Sequence, residues 1–429
     1  VFIAATELWD RISFHGMQAL LVLYMVGQLL LPGHVEHIAG FAMVRSGIEF
    51  VTGPLSTQAL ATQIFGLYVG LVYFTPVFGG LVGDRVLGRV GAVSLGALLM
   101  TAGHFCMAFD ESFLPALLLL ICGAGLLRGN LAPQLGELYA RNDRRRTLAF
   151  QIYGSAINLG AFIAPLATGQ LAQSYGWHSG FAFAGFGMLF GLIVYLWGRK
   201  TLPDDAQRAS TTEAAPSATD EPNTVPLLLL LVPVTSLFWI AQSQVWNTYN
   251  LWVRDHIALR FGHWTMPVPW LQSLDGLAPF LCLPPLVMFW RWQAKRGREP
   301  DEFTKMAIGC FIFGVSTFWL GCAYLVSGPD GRAPLLWAVA FHLGSNIGWL
   351  YFSPIAIALF SRLAPRRVNA TMVGIYYLSI FFGSVISGRL GGLYERISPF
   401  AFWSLHAGLV GFGGVVLLAI GWARRRNAV

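Results

Sequence analysis

Apolar residues fill this chain in long blocks. Twelve of them lie near residues 2–27, 58–82, 90–109, 113–138, 147–172, 180–198, 226–252, 268–292, 304–327, 333–361, 369–392 and 399–422. About twenty residues of helix, at about 1.5 Å each, cross a hydrocarbon layer about 30 Å thick. Each block therefore predicts a membrane-spanning helix. The stretch from 200 to 226, "KTLPDDAQRASTTEAAPSATDEPNTVP", carries no apolar helical stripe and is rich in Pro, Ser, Thr, Ala and acids. It reads as a flexible linker. The expected fold is an all-α polytopic membrane protein with twelve transmembrane helices. An N-terminal six-helix half spans 1–198, a cytoplasmic linker 199–225 and a C-terminal six-helix half 226–429. The chain starts inside an apolar block, from which a trimmed or disordered natural N-terminus is expected.

Composition fits that class. Of 429 residues, 55% are hydrophobic and 11% charged, against about 25% charged in an ordinary soluble domain. Mean hydropathy is +0.59. The five cysteines all fall in apolar blocks and form no CxxC pair, so they read as small buried residues and indicate neither a disulfide framework nor a metal site.

The formal net charge of +7 is explained by topology. With the N-terminus placed in the cytoplasm, twenty of the 28 Lys and Arg fall on the cytoplasmic side and six on the other, while Arg11 and Arg128 stay inside spans. This asymmetry predicts both termini inside and leaves no case for a nucleic-acid partner. Two six-span halves also suggest duplication. "NLGAFIAPLATGQLA" in the fifth span echoes "YLSIFFGSVISGRLG" in the eleventh. A parallel repeat with substrate bound between the halves is the major-facilitator arrangement.

Few charges remain at membrane depth: Glu7, Asp10 and Arg11 in span one, Arg128 in span four and Asp275 in span eight. Each costs roughly 2.5–3.5 kcal/mol at a helix centre, so five facing lipid would cost on the order of 12–17 kcal/mol. They must face one another or a wet cavity, which makes them functional candidates. Glu7 and Arg11 are four apart on one helix face, with Asp10 beside them. A carboxylate released by an arginine that turns to a substrate anion takes up a proton, so the group is a candidate proton switch. The alternative is a static ion-pair cluster. Arg128, in "GAGLLRGN", is a candidate to clamp a substrate carboxylate together with Arg11; the alternative is Arg128 held by backbone carbonyls or Glu137. Asp275, in "WLQSLDGLAPF", would hold a cationic group or a proton, or else sit as a neutral, hydrogen-bonded acid.

Trp239, Gln244 and neighbouring amides make a mixed apolar and amide surface in span seven, and Trp349 with Tyr351 does so in span ten. Single tryptophans more often pack or sit at the interface. His15 and His342 read as packing residues, though His15 adjoins the charge cluster and is able to titrate. No Ser/His, His-metal or paired-aspartate constellation points to an enzyme.

These motifs resemble those of the proton-coupled oligopeptide transporter family of the major facilitator superfamily. "ELWDRISFHG" resembles that family's ExxERFxYYG motif. "TPVFGGLVGDRVLGRVGAV" resembles its loop between spans two and three, and "GAGLLRGNLAPQLGELY" its GxGxxKPN segment. "FQIYGSAINLGAFIAP" resembles FYxxINxG and "SLFWIAQSQ" resembles FWxxxEQ. "WLQSLDGLAPF", "KRGREPDEFTKMAIG" and "SPIAIALFSRLAP" follow in order, so the resemblance covers essentially the whole chain.

The resemblance implies a proton-driven importer of di- and tripeptides or peptide-like small carboxylates, working by alternating access as a monomer. It implies no cofactor beyond the proton gradient, and partners limited to substrate, protons and the lipid bilayer. Glu7, Asp10 and Arg11 inherit proton coupling. Arg11, Arg128 in place of a lysine, and Asn158 inherit substrate contact. Phe14 and His15 stand where the family has paired tyrosines. Asp84 and Arg85 inherit gating. The departures are Ser243 in place of the span-seven acid, Trp349 in place of the span-ten acid, and Asp275 in place of an asparagine. They suggest an amine site moved to Asp275. Alternatively the cargo, imported or exported, is a non-peptide metabolite, siderophore-like or drug-like; a non-transporting sensor is a more remote reading. Basic cytoplasmic loops do not distinguish a bacterial inner membrane from a eukaryotic membrane, and it is the compactness of the chain that favours a bacterial inner membrane.

Overall fold

The structure, a computed structural model, describes residues 1–139, 143–202, 224–327, 330–365 and 369–427. Most of the expected linker, 203–223, lies outside the described residues. The chain divides into two compact units, Val1–Ser217 and Ala218–Val429.

The first unit contains α1 (Phe2–Tyr24), α2 (Phe41–Thr52), α3 (Thr57–Val82), α4 (Gly88–Cys106), α5 (Phe113–Glu137), α6 (Arg144–Tyr175) and α7 (Trp177–Gly198). Eleven stretches among the described residues are long and apolar enough to cross a membrane, and one of them, Thr57–Cys106, has 50 residues. A single helix of that length would be about 75 Å long, far beyond one crossing. It breaks at the π turn Gly83–Leu87 and at Gly88, whose φ of +68° suits glycine. The two pieces, α3 and α4, bring the count to twelve spans, as the sequence predicts. Helix starts follow local capping chemistry. Ser56 Oγ accepts the Ala59 N–H at 3.2 Å before α3. Asp143 accepts the Arg145 N–H at 2.8 Å before α6, and the Arg145 guanidinium and backbone hold its carboxyl below the usual carboxylate range.

The short helix α2 was not visible in the hydropathy pattern. Its Arg45–Glu49 pair at 3.0 Å keeps it from reading as a span, while Met43, Phe50 and Val51 are exposed on it.

The second unit contains α8 (Val225–Gln244), α9 (Thr248–His256), a small hairpin of β1 (Arg260–Phe261) and β2 (Trp264–Thr265), then α10 (Ser273–Lys295), α11 (Glu302–Leu325), α12 (Leu336–Leu363), α13 (Asn369–Gly391) and α14 (Pro399–Asn427). The seventh span was expected as one helix over 226–252. It breaks at residues 245–247, within the polar run "QSQVWNTYN". The break exposes backbone groups that must be satisfied inside a membrane. Gln272 does part of this, donating to Val245 O at 2.5 Å and to Asn250 Oδ1 at 2.7 Å. Gln244, Asn247 and Asn250 are fully buried there.

Both units repeat the same close contacts. Gly96 of α4 faces Gly123 of α5, and a Cβ on either would lie 2.7 Å from the other's carbonyl oxygen. Gly309 of α11 and Gly348 of α12 face each other likewise, at 2.7 and 2.8 Å. These are the third and fourth spans of their units, joined by close glycine packing suited to lipid. The fifth span rests on the first in both: Gly160 of α6 lies against Arg11 of α1, and Gly383 of α13 against Trp239 of α8. Leu118, Phe186, Met288 and Val315 are exposed while Glu7, Asp10, Asn130 and Gln134 are buried. Such an inverted distribution belongs to a chain dissolved in lipid.

Candidate functional site

In the first unit, α1, α5 and α6 bring two acids and two arginines together. Glu7, Asp10 and Arg11 share one face of α1 because they are three and four residues apart. Glu7 and Asp10 are 0% exposed. Arg11 Nε donates to Glu7 Oε1 at 2.6 Å and lies 3.7 Å from Asp10 Oδ2. Arg128 of α5 forks onto Asp10, with Nε donating to Oδ2 at 2.9 Å and Nη2 to Oδ1 at 3.1 Å. The Phe14 ring lies 4.2 Å below the Arg128 guanidinium, a cation–π contact worth about 2 kcal/mol when desolvated. With all four groups ionised the cluster is neutral, which is how so much charge is tolerated at depth.

Of the two roles open for Arg128 in the sequence, neither describes its resting partners. It is held by Asp10; Glu137 instead meets Arg89. One guanidinium nitrogen, Nη1, is buried with no hydrogen-bond partner among the described residues. The cluster has a further member. Tyr153 of α6 donates from its hydroxyl to Glu7 Oε2 at 2.6 Å. Gly160, two turns further along α6, allows this approach, because a Cβ there would lie 2.5 Å from that of Arg11. Tyr153 lies inside the quoted "FQIYGSAINLG" but was not singled out. Replacing Tyr153 with Phe removes a hydrogen bond to a charged group, worth about 1.5–3 kcal/mol. The expected result is a lowered melting temperature in detergent, and a parent-like melting temperature would show that the bond does not hold the cluster together.

The remaining candidates of this unit lie around the cluster. His15 is half-buried, its ring 5.3 Å from that of Phe14. Asn158 is half-buried and donates to Gly154 O in its own helix at 3.1 Å. Asp84 accepts from Arg89 Nε at 2.9 Å at the α3–α4 turn, where Arg85 is exposed.

The second unit has its own polar centre. Asp275, in the first turn of α10, meets His342 Nδ1 at 2.7 Å and accepts from Asn346 Nδ2 at 2.8 Å. His342 and Asn346 are four apart and so share a face of α12; the "HLGSN" spacing was the signal, although His342 read as a packing residue. Asp275 Oδ2, His342 Nε2 and the nearby Tyr249 hydroxyl are buried without hydrogen-bond partners among the described residues. The Tyr249 and His342 rings lie 5.2 Å apart. Gln244 is tied into the fold, its Nε2 2.9 Å from Ser387 O and 3.1 Å from His406 Nε2. Trp239 is buried with its indole N–H unpartnered among the described residues. Trp349 is half-buried and packs against Leu286, Leu350 and Tyr351.

Twelve apolar spans among the described residues, with buried ion pairs in one unit and an acid–histidine pair in the other, mark a polytopic membrane protein with polar centres at depth. The model of the POT family matches residues 91–215 and 216–401. The chain belongs to that family, the proton-coupled oligopeptide transporters its motifs resemble. It is 28% identical to a transporter of Bacillus subtilis, over 96% of this chain and 91% of that one. It is 27% identical to the di-/tripeptide transporter of Lactococcus lactis subsp. cremoris, over 97% of this chain and 93% of that one. A solved peptide transporter, POT, in complex with alafosfalin superposes with a TM-score of 0.82 at 25% identity, over 98% of this chain and 93% of that one.

Proposed function

We propose that this protein imports di- and tripeptides, or small carboxylates resembling them, driven by protons that enter with the cargo. The observation that carries this reading is the buried Glu7–Arg11 and Asp10–Arg128 cluster, with Arg128 Nη1 unpartnered among the described residues. A substrate carboxylate is the natural acceptor for that nitrogen. As Arg128 turns to it, Asp10 loses its counter-charge in a low-dielectric site and takes a proton to stay neutral. Cargo and proton are then bound by one exchange of partners. Glu7, shared by Arg11 and Tyr153, is the second proton acceptor. Asp84, Arg85 and Arg89 at the α3–α4 turn form a gate; the asymmetry of basic residues supports cytoplasmic termini, and the compact chain supports a bacterial inner membrane.

The substrate amine is assigned to Asp275, held in place by His342 and Asn346 with Oδ2 unpartnered among the described residues. Trp349, where the family motif implies an acid, favours small apolar cargo. The test is reconstitution in liposomes with acid outside and labelled dialanine. Accumulation abolished by a protonophore is expected. Asp275→Asn removes a charged contact worth about 1.5–3 kcal/mol, so its affinity for dialanine should fall at least tenfold, while N-acetyl-alanine, which has no amine, should compete equally well against both proteins. Unchanged dialanine affinity would remove Asp275 from the amine site.

A further inference from the structure

The Asp275 centre carries a partner that holding an amine does not require. Asp275 Oδ1 takes two contacts, His342 Nδ1 at 2.7 Å and Asn346 Nδ2 at 2.8 Å. Asn346 Nδ2 also donates to His342 O at 2.8 Å, so the amide already braces the carboxylate. The other oxygen, Oδ2, is buried with no hydrogen-bond partner among the described residues, and so is His342 Nε2. The histidine adds something the amide lacks, a ring that ordinarily changes charge between about pH 5 and 8.

A carboxylate at this depth calls for a counter-charge, because a lone buried ion is strongly disfavoured. The His342 side chain is 0% exposed and that of Asp275 12%. Cations on the elements around α12 are engaged at helix ends. Arg254 of α9 meets Asp255, Lys305 of α11 meets Glu299, and Arg362 of α12 itself meets Glu302. Arg291 and Lys295 stand at the opposite end of α10 from Asp275, Arg389 stands at the end of α13, and α8 has no ionisable side chain. Among titratable groups, Tyr249 of α9 has its ring 5.2 Å from that of His342. The others on these elements are His256 of α9, Cys282 of α10, Cys310, Cys322 and Tyr324 of α11, and Tyr376 and Tyr377 of α13. The cation within reach of Asp275 is thus the His342 ring itself, at a separation typical of charge-assisted hydrogen bonds.

We propose that His342 stands in for the cargo amine: its protonated ring pairs with Asp275 while the site is empty, and it gives up a proton when an amine docks on Oδ2. The inference rests on the reading of Asp275 as the amine site. Two cations on one carboxylate lie within the about 4–6 Å over which like charges disfavour each other. The imidazolium gives way, because a ring ordinarily loses its proton at lower pH than an α-amine does. The Nε2–H bond breaks and that proton goes to water, while Nδ1–H stays on Asp275 Oδ1. The amine keeps its own protons and donates to Oδ2, and no other bond changes. The carboxylate is then never stranded, whether the carrier turns over loaded or empty. Asp10 and Glu7, the two acceptors of the first unit, outnumber the one proton given up here, so a net inward drive remains.

Calorimetric titration of dialanine into the purified transporter, in buffers of different ionisation enthalpy, counts the protons exchanged on binding. At about pH 6 the parent should release one proton more per dialanine than His342→Gln, whose amide keeps a donor towards Asp275 but carries no charge. By linkage, one proton is about a tenfold change in affinity per pH unit. The ratio of dialanine affinities, His342→Gln over parent, should therefore rise as pH falls, approaching about tenfold per unit. Equal proton counts overturn the proposal. So does an affinity lowered by the same factor at every pH, which would make His342 a positioning residue for Asp275 and no more. A second measurement uses the parent alone. N-acetyl-alanine brings no amine and should leave the ring its proton, so dialanine should release one proton more than N-acetyl-alanine does. The same count for both overturns the proposal. Dialanine affinity unchanged in Asp275→Asn overturns the amine-site reading instead.

Discussion

Arg128→Ala should reduce proton-driven dialanine uptake to below about 1% of the parent, the largest functional loss expected of a single change. The substitution removes one partner of a buried, two-pronged ion pair and strands Asp10, which is 0% exposed. Breaking such a pair costs about 3–5 kcal/mol, because the surviving charge is left uncompensated in low dielectric. The same energy expressed in a rate or affinity is on the order of a hundredfold to several thousandfold. Arg128→Lys separates charge from shape: it keeps a cation opposite Asp10 but loses the fork and the flat face against Phe14. It should retain a measurable fraction of uptake. Asp10→Asn together with Arg128→Ala should melt higher than Arg128→Ala alone, since no stranded carboxylate remains. Initial uptake rates and melting temperatures of the three variants decide the matter. Equal uptake by the Ala and Lys variants would mean that the charge of residue 128 does not matter to transport.

The largest effect on folding is expected at Gly79. A Cβ there would lie 2.0 Å from the Gly125 carbonyl oxygen, where α3 and α5 cross. Real side chains essentially never come that close, and backbone on both sides leaves nothing flexible to give way. Overpacking typically costs about 1–3 kcal/mol, occasionally more, and Gly79→Ala belongs at or above the upper end. The neighbouring Gly80→Ala is the control: its Cβ would lie 3.4 Å from Gly129 O, an ordinary contact. Size-exclusion profiles in detergent should show Gly80→Ala as a sharp monodisperse peak and Gly79→Ala as aggregate or nothing. Matching profiles would refute the crossing geometry.

Much of this was legible in the sequence, and the physical reason is the solvent. Lipid demands long apolar helices whose backbone is internally satisfied, so span positions follow from hydropathy to within about five residues at each end. The charges that stay inside spans are few, and Glu7, Asp10, Arg11, Arg128 and Asp275 all fall in the polar centres of the two units. Partner choice was less legible. That Arg128 pairs with Asp10, 118 residues away, follows from helix packing and not from spacing along one helix. His342 was read as a packing residue because nothing in its own segment announces that α12 turns it towards Asp275. The break in the seventh span hid behind good average hydropathy, and α2 hid behind its charges. Tyr153 looks like an ordinary polar residue of an apolar helix until its neighbour on α1 is known.

The matched glycine seams also bear on descent. If both units derive from one six-helix gene copied and fused, the two copies have drifted unequally. Their seams, Gly96 on Gly123 and Gly309 on Gly348, have kept the same spacing to within 0.1 Å. Where the fifth helix rests on the first, one copy presents Arg11 and the other Trp239. Heredity has thus held the joints and spent its variation on the residues the joints display. A lineage built this way reaches new cargoes by exchanging displayed side chains, leaving the frame that carries them to be inherited intact.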